Sequence, residues 1–228
     1  MSSISAEPPE GGDDWIVATG LAKLKNGHRA FRHAQYLHGV PGSADEAEAK
    51  LFDALNQLRS AMDWLEDTPH FERAHSELDE AGRFRRENFS CEFEYTDGRY
   101  WQTCPVALAH NRIGLSPAII INECECSICH RDPDDCEHII GRQYDGERCI
   151  RMITGISQIL EVSFVGRPAQ PDARIQRMSL STEELRAGLV VDFPLGTPIN
   201  CDRCLTPCDG ISNAYEEPVL TITTDSDL

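Results

Sequence analysis

The chain has 228 residues, a net charge of −17 and 40% hydrophobic residues, enough to bury the core of one large domain or two modest ones. It has no apolar run long enough to cross a membrane and no N-terminal secretory signal, so we expect a cytoplasmic protein without a membrane segment. From residue 90 onward, 22 acidic residues stand against 11 arginines and no lysine, which disfavours nucleic acid as a partner and favours protein.

Composition and hydrophobic periodicity divide the chain into four parts. Residues 1–14 are small and acidic, residues 216–228 form an acidic tail, and both ends are predicted to be disordered. Residues 15–88 are predicted to be a helical region, although 15–38 show a mixed pattern without a clear apolar face. Residues 89–215 are predicted to form a β-rich domain that binds zinc.

A helical hairpin is predicted over about residues 43–82. Ser43 and Glu46 match a capping box, and the apolar residues that follow recur every three or four positions. Thr68 is the predicted N-cap of the second helix, and Gly82 is its predicted end.

The periodicity changes to two after residue 88, which indicates β-structure. Asp97 and Gly98 form a preferred pair for a two-residue hairpin turn. Extending the register from this turn places Cys91 opposite Cys104, with Cα atoms about 4.5 to 5.5 Å apart. Further along, residues 146–165 read as strands separated by glycine, and "STEELRAGL" reads as a short helix with a capping box.

The stretch "CECSICHRDPDDCEH" predicts a zinc site. A C-x2-C turn supplies two thiolates from one tight loop, and a C-x-H pair six residues later completes a tetrahedron. The predicted ligands are Cys126, Cys129, Cys136 and His138. Four protein ligands leave no position for water or substrate, so the site is predicted to be structural. Cys124 and His130 lie close by and stay open as alternative ligands.

A second zinc site is predicted from cysteines that are distant in sequence. Its predicted ligands are Cys91, Cys104, Cys201 and Cys204. Cys208, His110 and Cys149 remain competing ligands, and a disulfide between the two hairpin cysteines is the main alternative. A redox-active C-x2-C is disfavoured, because "CDRCLTPCDG" reads as a loop and not as the start of a helix.

Residues 90–177 resemble the core of the phage prohead (capsid maturation) proteases. The similar elements are "GLSPA" at 114–118, "EVSFV" at 161–165 and "PAQPDA" at 168–173. The resemblance implies that Ser116 is the nucleophile and Glu161 an acidic partner of a catalytic histidine. However, Pro117 has no N–H to offer an oxyanion, and no histidine is placed by the motif.

The sequence therefore predicts an α+β protein: an N-terminal helical hairpin followed by a small antiparallel β-rich domain stapled by zinc. The favoured function is a zinc-binding, zinc finger-like interaction or structural module on a prohead-protease-like core. It would act on a protein partner through the helical hairpin or the zinc loop, and not as an enzyme. The alternative is a serine peptidase that processes itself or an assembly partner. A nucleic-acid-binding zinc protein is the third hypothesis and is disfavoured by charge.

Overall fold

The computed structural model describes residues 12–206, 208 and 211. The fold is α+β, as predicted: three long helices come first and small antiparallel sheets follow. The elements in chain order are α1 (Gly12–His38), α2 (Ala44–Trp64), α3 (Phe71–Asn88), β1 (Glu94–Thr96), β2 (Arg99–Gln102), α4 (Pro105–Ala109), β3 (Gly114–Cys126), β4 (Gln143–Tyr144), β5 (Glu147–Arg148), β6 (Arg151–Val165), β7 (Met178–Ser181) and α5 (Thr182–Leu189).

Helix α1 occupies the segment whose sequence pattern is mixed. It has 27 residues and begins at Gly12, so the last residues of the predicted disordered end are helical. The rest of that end, and the predicted acidic tail 216–228, lie outside the described residues. A Cβ on Gly27 would lie 2.7 Å from Leu58 Cγ of α2. The two helices therefore pack more closely than a larger residue at this position would allow.

The predicted hairpin of α2 and α3 is present, with different ends. Ser43 precedes α2 but makes no side-chain capping hydrogen bond. Helix α3 continues through Gly82 to Asn88, so the predicted end at Gly82 is wrong. A Cβ on Gly82 would lie 2.8 Å from both Val106 Cγ2 and Cys204 Sγ. This glycine serves close packing of α3 against Val106 of α4 and against Cys204.

Strands β1, β2 and β7 form a three-stranded sheet. The predicted turn is confirmed: Thr96 pairs with Arg99, and Asp97 and Gly98 both have positive φ, of 54° and 75°. Beyond β1 the predicted register fails, because the Cys201 amide donates to the Cys91 carbonyl at 2.8 Å. Cys91 therefore pairs with the part of the chain that contains Cys201, Cys204 and Cys208, hereafter the C-terminal segment. The predicted ladder pair of Cys91 with Cys104 does not form. The predicted capping box of α5 is confirmed.

Strands β3 and β6 form a long two-stranded ribbon of 13 and 15 residues. Their pairing runs from Gly114 opposite Val165 to Cys126 opposite Arg151. Strand β6 passes through Gly155 without interruption, so the predicted division at that glycine is wrong. Residues 127–150 form the loop at the far end, hereafter the tip loop.

Buried charges attach the base of the ribbon to α2. Arg112 Nη1 donates to Asp63 Oδ1 at 2.7 Å, and its Nη2 lies 2.6 Å from Glu66 Oε1. Arg174, which follows the ribbon, contacts the same two carboxylates. Both arginine side chains are at most 3% exposed, so these ion pairs hold the ribbon base against the helices with little solvent screening.

No helix in the described part of the chain combines the length and apolar character needed to span a bilayer.

Candidate metal centres

The end of β3 and the tip loop bring together the four residues predicted as the first zinc site. The ligand atoms of Cys126, Cys129, Cys136 and His138 all lie within 4.8 Å of one another. The turn that follows β3 is closed by two backbone hydrogen bonds, from His130 N to Cys126 O and from Cys126 N to Arg131 O, each 2.8 Å long. A turn at Pro133–Asp135 then returns the chain towards the cluster. This arrangement matches the ligand number and types of a closed metal site.

The electrostatics of this cluster favour a thiolate at Cys126. Burial opposes its ionisation, but the Cys129 and Ile128 amides and the Cys149 thiol hydrogen bond to it and lower its pKa to about 6. His138 Nδ1 is buried and has no hydrogen-bond partner among the described residues. A buried nitrogen without a partner costs free energy, and coordination to a metal ion would remove that cost.

Cys149 lies beside the group of Cys126, Cys129, Cys136 and His138, hereafter the tip cluster, where the sequence did not place it. Its Sγ lies 3.6 Å from Cys126 Sγ, and its side chain is fully buried. Burial, followed by the neighbouring Cys126, raises the pKa of Cys149 to about 11. Cys149 is therefore a competing ligand of the first site and not of the second, for which the sequence suggested it. Cys149 comes two residues before the strand β6, and β6 pairs with β3. Predicting this pairing from the sequence would have placed Cys149 beside Cys126.

Cys124 and His130, the remaining candidate ligands of the first site, lie outside the cluster. Cys124 is within β3, opposite Ile153. His130 is exposed, and its Nδ1 lies 3.6 Å from Glu125 Oε2.

A second group of ligand atoms joins α3, the end of α4 and the C-terminal segment. The ligand atoms of His75, Asp79, His110 and Cys208 all lie within 4.8 Å of one another. His75 and Asp79 are four residues apart on α3 and so share one face of the helix. The sequence indicated His110 and Cys208 only as competing ligands of the four-cysteine site. The i, i+4 pair in "HSELD" was the available signal for the group that forms.

The imidazoles of this second group face each other. His75 Nε2 and His110 Nε2 are 3.0 Å apart, and Asp79 oxygens lie 3.3 and 3.5 Å from them. His110 Nδ1 lies 2.7 Å from the Val106 carbonyl oxygen, which can only accept, so Nδ1 carries the proton. The lone pair of neutral His110 therefore sits on Nε2, inside the group.

The charges of the second group depend on one another. The hydrogen bond to Asp79 raises the pKa of His75 to about 9, against the effect of burial. Burial opposes ionisation of Asp79, but the hydrogen bond from His75 and the charges of both histidines lower its pKa. Burial lowers the pKa of His110, which favours its neutral form.

The four cysteines predicted as a second zinc site share one core but do not form such a group. Cys91, Cys104 and Cys201 are buried there, and Cys204 packs against them. Gln102 Nε2 donates to Cys201 Sγ at 3.2 Å. The only described sets of three or more ligand atoms within 4.8 Å are the tip cluster and the His75 group. Cys91 and Cys104 carry free thiols, so the disulfide between them is not formed.

Ser116 and Glu161 lie near the base of the ribbon. Ser116 lines a pocket of about 370 Å³, together with Ile16, Asp63, Trp64, Glu66, Arg167, Pro168, Ala169 and Pro171. Glu161 is exposed on β6 and accepts a hydrogen bond from Ser163, the residue opposite Ser116. None of the described lining residues is a histidine, the usual general base of a serine peptidase.

No family model, no curated protein and no solved structure matches this chain.

Proposed function

We propose that the chain is a cytoplasmic zinc-binding protein whose ribbon, with zinc in the tip loop, docks onto a protein partner. The observation that carries the zinc assignment is the tip cluster itself, with three thiols and one imidazole within 4.8 Å. Thiolate and imidazole are the ligands of structural zinc, and harder cations such as Mg²⁺ prefer oxygen. A reducing cytoplasm keeps such thiols available for metal.

The exposed apolar surface of the ribbon supports a docking role. Ile156, Ile159 and Leu160 of β6 are more than half exposed, and Phe164 is 66% exposed. Apolar residues occur at both odd and even positions of β6, so both faces of the ribbon carry apolar side chains. A two-stranded ribbon is marginally stable alone in water, and contiguous apolar surface of this kind is typical of interaction sites.

Charge indicates what kind of partner fits this surface. The net charge of −17 opposes both phosphate backbones and a second copy of the chain. Complementarity then favours a different protein that presents an apolar surface bordered by Lys and Arg. Of the two docking surfaces expected from the sequence, the helical hairpin and the zinc loop, the exposed apolar residues favour the ribbon that carries the loop.

Native mass spectrometry tests the zinc assignment. Protein purified without chelator is expected to contain zinc, and Cys129→Ser is expected to contain one ion fewer. Cys124→Ser is the matched control, because Cys124 is a cysteine of the same stretch outside the cluster. Unchanged zinc content in Cys129→Ser would overturn the assignment.

Site-specific photocrosslinking tests the docking surface. A photoreactive phenylalanine analogue at Phe164 is expected to capture one recurrent protein in lysate of the source cells, with a yield that falls at high salt. Tyr36 on α1 is the matched control, since it is 68% exposed but belongs to the helical region. Capture of a second copy, equal capture from position 36, or no capture from position 164 would each refute the proposal.

A further inference from the structure

The geometry points to a second zinc site formed by His75 Nε2, His110 Nε2, the Asp79 carboxylate and Cys208 Sγ, which fixes the C-terminal segment to α3 and α4. This assignment does not depend on the tip site, because the two groups share no residue. It also differs from the four-cysteine set predicted from the sequence.

The orientation of the histidines supports coordination. Metal-binding histidines usually donate their other ring N–H to a carbonyl or carboxylate, which fixes the tautomer. His110 does this through Nδ1 and the Val106 carbonyl at 2.7 Å. His75 Nδ1 lies 3.8 Å from the Glu72 carboxylate, on the side away from the group. Both Nε2 atoms lie inside the group, 3.0 Å from each other.

The charge of the ligand set suits a divalent ion. Asp79 and a Cys208 thiolate together supply two negative charges, which neutralise Zn²⁺. Arg203 Nη2 lies 2.9 Å from Cys208 Sγ and helps to place this sulfur in the group. Two nitrogens, one oxygen and one sulfur are ligands that zinc accepts in a tetrahedron, whereas Ca²⁺ and Mg²⁺ require mainly oxygen.

The arrangement gives this ion a structural role. Helix α3 provides two ligands, the end of α4 a third and the C-terminal segment the fourth, so the ion would join three parts of the chain. Four protein ligands leave no coordination position for substrate. The C-terminal segment contacts α3 at a second place, since Cys204 Sγ lies next to Gly82. The ion would therefore add to this contact.

Zinc stoichiometry measured by native mass spectrometry of the full chain tests the site. We expect two zinc ions in the wild type, one in His75→Gln or Asp79→Asn, and two in His33→Gln, a control for an exposed histidine on another helix. Cys129→Ser should lose only the other ion. One zinc in the wild type, or two in His75→Gln, would overturn the proposal. So would loss of the second ion in Cys104→Ser but not in His75→Gln, because this result assigns it to the four cysteines.

Cobalt binding provides a readout that does not depend on the folding of the His75 variant. In Cys129→Ser, which retains only the second site, added Co²⁺ is expected to produce visible absorption bands of a tetrahedral centre with one thiolate. Adding Cys208→Ser to this variant should remove the thiolate charge-transfer band, and adding Cys124→Ser should leave it. A spectrum of octahedral Co²⁺, or a thiolate band that survives Cys208→Ser, would contradict the assignment.

Discussion

Loss of the zinc ion proposed for the tip cluster is expected to open the tip loop without unfolding the helices. The loop contains only a turn at Pro133–Asp135 and the two-residue strands β4 and β5. Most of its polar residues are exposed, and the buried hydrophobic core of the protein is built mainly by α1 to α3. The order of the loop is therefore expected to depend on the proposed metal ion, as in small zinc domains that fold only when metal binds.

The magnitude follows from the length of chain that the cluster closes. The first and last members of the cluster, Cys126 and His138, enclose a loop of thirteen residues. Cross-linking a loop of this length removes chain entropy equivalent to about 3 kcal/mol. A free-energy difference of that size changes the population of the open loop by a factor of roughly 100.

Trypsin cleavage after Arg142 measures this opening. The Arg142 carbonyl accepts from Cys149 N at 2.7 Å, and its amide donates to Ile139 O at 3.0 Å, so the intact loop resists a protease. The cleavage rate should rise roughly 100-fold in Cys129→Ser and stay unchanged in Cys124→Ser, since cleavage tracks the open population. A rise of less than about threefold would refute the inference that the metal orders the loop.

Three further experiments test other parts of the structure. Arg112→Met should destabilise the protein by about 3 to 5 kcal/mol in urea denaturation, because it removes a partner of the buried Asp63; a loss below about 1 kcal/mol would contradict the buried ion pair. Ser181→Ala should cost about 0.5 to 2 kcal/mol by removing a capping hydrogen bond, whereas Ser43→Ala, which removes none, should change stability by less than about 0.5 kcal/mol. A serine-reactive phosphonate should not label the protein, because no histidine lines the pocket of Ser116; labelling lost in Ser116→Ala would revive the peptidase hypothesis.

Local signals allowed correct predictions where neighbouring residues decide the structure. The turn at Asp97 and Gly98 was predictable because both positions require positive φ. The tip cluster was predictable because its four ligands lie within thirteen consecutive positions, where a C-x2-C turn fixes their separation.

Features that depend on distant contacts were not predictable in the same way. Helix α1 lacks a clear apolar pattern because small residues such as Gly27, rather than large apolar ones, form part of its contact with α2. Gly82 resembles a helix end, but close packing against Val106 explains it. The second group combines residues up to 133 positions apart, and only the pair His75 and Asp79, four positions apart, leaves a local trace.

Buried ion pairs fix the base of the ribbon, and the metal ion proposed for the tip cluster would fix its other end during folding. Pairing Gly114 with Val165 directly requires closure of a long loop, which is entropically slow. The metal ion proposed for the tip would close residues 126–138 and so shorten the loop between Cys126 and Arg151, from which pairing can proceed to the base. Irregular register between Ala118 and Cys124 lies on that path, and each shift there must be chosen correctly. Zinc supply during synthesis is therefore expected to set how fast, and in which register, the ribbon forms.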